Sequence, residues 1–79
     1  MAQVNNDMHY YDIVRKNIKK FRKEKGYTQQ RLSEEADMSN DYLAEIESEK
    51  RKKTFSIAIL GRIADTLEID IKEFFNNNN

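Results

Sequence analysis

The chain has 79 residues, no cysteine and one histidine, His9, so it has no material for a disulfide framework or a thiolate metal site and little for zinc; no metal is expected. A chain this short holds one core at most, and 38% apolar with 35% charged residues suits a bundle with thin apolar stripes rather than a thick sheet core. Formal net charge is zero, which on its face argues against a nucleic-acid binder, because phosphate neutralisation supplies most non-specific affinity.

The charges are nevertheless segregated. From Asp12 to Lys25 seven basic residues face two acids, and Lys50 to Lys53 is an unbroken basic run. Between them, Thr28 to Glu49 holds seven acids and one basic residue, Arg31. No apolar run is long enough to span a membrane, and the opening MAQVNNDMHYYD lacks the charged-then-apolar order of a secretory signal. A cytoplasmic location without membrane contact is expected.

Residues 1–9 read as a flexible N-terminal segment, residues 10–75 as one domain and residues 76–79 as a polar tail. Tyr11, Val14, Ile18 and Phe21 recur at helical spacing, and this first amphipathic helix should end at Gly26, a residue that accepts the left-handed conformation of a helix C-terminus. Thr28 offers its hydroxyl to the free amides of a second helix, QQRLSEEA, about two turns long. Asp37 falls where the chain must turn, and aspartate tolerates positive φ. Ser39 then caps a third helix, NDYLAEIE, with Leu43 and Ile46 facing inward.

Ser48 to Phe55 is a basic, polar connection. Ser56 caps IAILGRIADTL, whose Ile57, Leu60, Ile63, Ala64 and Leu67 form one apolar face. Gly61 weakens that helix by roughly 1 kcal/mol relative to alanine unless a close neighbour uses the missing side chain. After Asp70, IKEFF completes the chain as a short fifth helix with Ile71, Phe74 and Phe75 apolar. The expected fold class is all-α, a five-helix bundle.

Two short helices joined by a tight turn, the second capped and carrying polar residues outward, have the geometry that sets a recognition helix in a DNA major groove. Leu32 and Ala36 must meet Leu43 and Ile46, and small Ser33 permits the close crossing. No nucleophile, base and orienting group form a recognisable set around His9, Tyr10 and Tyr11, and no glycine-rich phosphate loop occurs; neither an enzyme nor a cofactor or small-molecule ligand is expected.

The segments IKKFRKEKGYTQQRLSEEADMSNDYLAEIESEKRKK and SIAILGRIADTLEIDIKEFF resemble the Cro and repressor type of helix-turn-helix, the XRE family, over residues 11–75. Asp37, Glu49 and Phe55 stand where the family prefers glycine, glycine and proline; the last two bear on the path of the loop rather than on the fold. The resemblance implies a lambda-repressor-like domain that binds double-stranded DNA and regulates transcription as a homodimer, most simply as a repressor. It implies a phosphate contact for Gln29 at the start of the second helix.

The resemblance also places Asn40, Asp41, Ala44 and Glu45 at the outward positions that read base edges. There asparagine pairs with adenine, a carboxylate accepts from cytosine N4, and alanine touches a thymine methyl. Asp41 also suits the positive end of the helix dipole, and Glu45 a solvated surface, without any base contact. Lys50, Arg51, Lys52 and Lys53 fall where the family contacts phosphates, and Tyr42 either joins them through its hydroxyl or packs. Arg22 and Glu47 correspond to a structural ion pair. Ile69, Ile71, Phe74 and Phe75 are the expected dimer interface, with closure of the monomer's own core as the other use of the same residues. The rival reading keeps the fold but turns its acidic middle, Asp41, Glu45 and Glu49, toward a basic protein partner.

Overall fold

A computed structural model describes residues 8–77. The expected flexible segment falls mostly on residues 1–7, which lie outside the described residues, as do the last two residues of the expected tail. The chain forms α1 (His9–Glu24), α2 (Gln29–Glu35), α3 (Asn40–Glu47), α4 (Ile57–Leu67) and a terminal 3-10 helix (Ile71–Phe75), with no strand among the described residues. The helix thus starts at His9, one residue inside the segment expected to be flexible.

Local chemistry sets each boundary. Gly26 at φ 80° closes α1, with Tyr27 N–H reaching Arg22 O and Gly26 N–H reaching Lys23 O, which satisfies carbonyls that the helix end leaves open. The hydroxyls of Thr28, Ser39 and Ser56 accept from the amides of Arg31, Tyr42 and Ile59, so α2, α3 and α4 each begin on a side-chain cap. Asp37 takes φ 61° and ends α2 in the same manner as Gly26, Met38 N–H donating to Ser33 O at 2.9 Å.

The core is one cluster. Val14 and Ile18 of α1 meet Leu32 and Ala36 of α2, Leu43 and Ile46 of α3, Leu60, Ile63, Ala64 and Leu67 of α4, and Phe74. Ser33 is buried where α2 crosses α3, and its hydroxyl donates to Gln30 O at 2.8 Å, so the small polar residue costs no unpaired group.

Three expectations are corrected. The last element is a 3-10 helix, not a fifth α-helix: Asp70 caps its first turn through Lys72 N–H, and buried Asn17 of α1 donates from Nδ2 to Phe74 O at 2.7 Å and Asn76 O at 2.8 Å. Those bonds hold the carbonyls after one turn, too soon for an α-helix to propagate. Ile57, assigned to the inner face of α4, is 69% exposed, because the first turn of that helix projects past the core. Phe74, assigned to the dimer interface, is fully buried in the monomer's own core against Phe21.

Gly61 is half-buried, and a Cβ built there meets nothing within 4 Å. No close approach uses the missing side chain. Gly61→Ala is therefore expected to stabilise the domain by about 1 kcal/mol and raise Tm by about 4–8 °C in a thermal melt; an unchanged or lower Tm would contradict the open space at this site.

Candidate nucleic-acid interface

The cap on Ser39 fixes where α3 begins, and burial of Leu43 and Ile46 fixes which side faces out. Asn40 and Asp41 are exposed and Ala44 and Glu45 half-buried, so these four expected base-reading residues share the outward side of α3. The turn before α3 is braced from α4, where Arg62 Nη1 donates to Asp37 O at 3.0 Å.

Gln29 opens α2, and its Nε2 donates to Glu47 Oε1 at 3.0 Å. A side-chain amide carries two N–H donors, so the bond to Glu47 orients the amide without using its second N–H. Glu47 is itself buried against Arg22 in a two-point pair, Nε to Oε2 at 2.8 Å and Nη2 to Oε1 at 3.0 Å. Arg22 Nη1 donates to Tyr27 O at 2.8 Å. The pair joins α1 to the end of α3, and through Gln29 it also orients the start of α2.

Arg15 does related work that the sequence did not reveal. It is one of the seven basic residues counted from Asp12 to Lys25, yet it is fully buried. Its Nε donates to Asp12 Oδ1, its Nη1 to Ile46 O and its Nη2 to Lys53 O, each at 2.9 Å. One guanidinium thereby clamps the last turn of α3 and the end of the basic loop onto α1. The pattern did contain a signal: Arg15, Ile18 and Arg22 are spaced by three and four, so both arginines share the strip of a buried isoleucine.

The basic loop is less free than its composition implies. Lys52 Nζ lies 2.9 Å from Asp12 Oδ2, and that hydrogen bond, with a further contribution from Arg15, holds the Asp12 carboxyl below the usual aspartate range against a push from burial. Arg51 Nη2 lies 3.1 Å from Glu45 Oε2 and Lys53 Nζ 3.2 Å from Glu45 Oε1. Lys50 makes no ion pair among the described residues. Tyr42 packs its ring against the core, and the Lys53 ammonium sits 5.4 Å from the ring centroid. The two departures in the loop also find their place. Glu49 needs no positive φ, since the left-handed residue here is Lys52 at φ 52°, and Phe55 anchors the loop edge-on against Tyr11 at 5.0 Å.

Outside α3 and the basic loop, the exposed large apolar residues among those described are Tyr10, Ile57 and Phe75. All three line one groove of about 230 Å³, with Tyr11, Phe55 and Leu60 at its floor and sides. Of the residues expected at a dimer interface, Phe75 faces this groove, while Ile69 and Ile71 are half-buried against the monomer's core. No described helix is long and apolar enough to cross a membrane.

Comparison with known proteins agrees with this geometry. The helix-turn-helix model HTH_3 matches residues 18–74. The fold is similar to the restriction-modification controller protein C.AhdI from Aeromonas hydrophila, with TM-score 0.81 and 18% identity over 90% of this chain and 100% of that one. It is similar to an HTH_3 family transcriptional regulator from Vibrio cholerae, with TM-score 0.81 and 26% identity over 92% of this chain and 40% of the other. It is also similar to the clp gene regulator ClgR from C. glutamicum, with TM-score 0.74 and 25% identity over 82% of each chain. No curated protein matches. With a capped helix presented outward beside a clamped basic loop, and the family model spanning both, the chain belongs to the HTH_3, XRE-type helix-turn-helix family and is a DNA-binding transcription regulator, not an enzyme.

Proposed function

We propose that the protein reads a specific inverted-repeat operator as a homodimer and represses transcription by occupying it. The observation that carries the reading is the layout of one surface. The outward side of α3 bears Asn40, Asp41, Ala44 and Glu45; Gln29 is hydrogen-bonded to Glu47 at the end of that helix, and Lys50, Arg51, Lys52 and Lys53 follow it in the basic loop. Base-edge groups at the centre with phosphate-binding groups at the rim suit a helix in the major groove. Double-stranded DNA is the partner, and the residues Tyr42 and Lys50 to Lys53 set its register.

A second copy is the proposed occupant of the apolar groove. Tyr10, Ile57 and Phe75 converge there, and a two-fold contact between identical patches would present two recognition helices to half-sites about 34 Å apart. The interface therefore centres on Ile57 and Phe75 rather than on Ile69 and Ile71, which do not line the groove. Because Ile57 is already in water, Ile57→Lys should leave the monomer folded. It is expected to convert a dimer into a monomer at micromolar concentration by light scattering; a wild-type chain that runs as a monomer, or a variant that stays dimeric, removes this part of the reading.

Selection of bound duplexes from a random library at near-physiological salt tests the whole. Enrichment of an inverted repeat is expected. A folded protein that enriches no duplex would instead favour a basic protein partner for Asp41, Glu45 and Glu49.

A further inference from the structure

We propose that Glu45 makes the phosphate contacts of the basic loop conditional on the base it meets, so that it determines specificity by withholding cations as well as by touching DNA. The inference rests on the DNA-binding reading and deepens it. Each oxygen of the Glu45 carboxylate is taken by a different loop cation, Oε2 by Arg51 at 3.1 Å and Oε1 by Lys53 at 3.2 Å. Both cations belong to the run that would grip the backbone, while Glu45 stands on the base-reading side of α3.

Loop geometry keeps this arrangement closed. Arg15 holds Lys53 O and Ile46 O at 2.9 Å, so the end of the loop cannot drift away from the last turn of α3. The pairs are nevertheless open to exchange: the side chains of Glu45, Arg51 and Lys53 are 30%, 63% and 39% exposed. Ion pairs this wet are weak, and phosphate oxygens compete for their cations on nearly equal terms.

What decides the exchange is the fate of the carboxylate. If Arg51 and Lys53 move to phosphates over an arbitrary sequence, Glu45 is left without a donor, dehydrated against base edges in a strongly negative groove. Where a base presents an exocyclic amine, such as cytosine N4, that amine donates to Glu45 and the cations leave without penalty. Unrelated DNA then meets a loop whose charge is cancelled, and the cognate site meets one whose cations are released. This also accounts for how a domain with no net charge avoids both weak operator binding and indiscriminate binding.

The test compares the wild-type chain with Glu45→Ala on the selected operator and on an unrelated duplex, across a salt series. Asp65→Ala serves as control, since it removes the same charge from an exposed position on α4, away from the base-reading residues, with no cation partner among the described residues. On unrelated DNA, Glu45→Ala is expected to bind more tightly and to steepen the dependence of log K on log salt by about 2, the release of two cations, while Asp65→Ala leaves that slope nearly unchanged. On the operator, the ratio of specific to unrelated affinity is expected to fall at least about tenfold, with preference lost at one base pair. Equal tightening on both duplexes with the ratio intact overturns the proposal and makes Glu45 a repulsive bystander. An unchanged slope on unrelated DNA overturns it too, since the cations were then never withheld. A wild-type chain that binds no duplex at all overturns the DNA-binding reading, and this inference with it.

Discussion

Replacing Arg15 with methionine is expected to cost about 3–5 kcal/mol of folding free energy, read from the midpoint of chemical denaturation. Methionine keeps much of the unbranched stem and its packing but none of the donors. The acceptors left behind are Asp12 Oδ1 and two backbone carbonyls, Ile46 O and Lys53 O. Backbone carbonyls cannot be replaced by an apolar group, so the loss cannot be repaired by filling the site with hydrocarbon. Domains of this size hold only about 4–12 kcal/mol at a typical 0.05–0.15 kcal/mol per residue, so the loss takes a large fraction of the total. Arg15→Lys should cost less, because the ammonium retains Asp12 and one carbonyl. A methionine variant within about 0.5 kcal/mol of wild type would show that the clamp does not support the fold.

The second large effect belongs to Glu47. Glu47→Gln is expected to destabilise the protein by about 3–5 kcal/mol, because the neutral amide leaves the buried Arg22 guanidinium without its counter-charge and turns a donor toward it or toward Gln29. The double variant Arg22→Met, Glu47→Leu should recover most of that loss, since removing both charges removes the cost of burying them. Tyr27 O would still lack its donor, a residual of about 1–3 kcal/mol. If the double variant is no more stable than Glu47→Gln, the cost arises from lost packing rather than from an uncompensated charge. The consequence reaches function, because Gln29 takes its direction from the same carboxylate.

Both predictions rest on a buried arginine of α1 and its partners, and they differ in how far the sequence exposed them. Arg22 and Glu47 followed from the family resemblance. Arg15 and Asn17 did not, because a basic or amide residue on an amphipathic helix ordinarily faces water. Asn17 does lie with Val14, Ile18 and Phe21 at helical spacing, and Arg15 lies with Ile18 and Arg22, so periodicity agrees with an inner position for both without singling them out from the other polar residues of the helix. Their partners were beyond any local pattern: Ile46 O is 31 residues from Arg15, Lys53 O is 38, and Phe74 O is 57 from Asn17.

The candidate site shows the same division. The outward positions of α3 were legible because one cap and two buried residues fix a helix's rotation, and Ser39, Leu43 and Ile46 supply them. The state of the basic loop was not, since Lys50 to Lys53 reads as free charge until folding brings Glu45 and Asp12 against it. The adjacent Phe74 and Phe75 look alike in sequence, yet one is buried and the other lines the groove, because a single 3-10 turn points neighbours in different directions.

By itself the sequence determined the all-helical class, the three hydroxyl caps, the turns at Gly26 and Asp37 and most of the core. Each of these is decided by groups within a few residues of one another, where backbone geometry leaves few alternatives. Only the tertiary structure decided which arginines are buried, that the last element is a 3-10 helix, that Ile57 stands in water, and which acids hold the loop cations. The buried arginines and the last turn depend on groups from distant parts of the chain meeting in a low-dielectric interior, while Ile57 and the loop cations depend on which elements come together at the surface; in both cases the partner follows from packing.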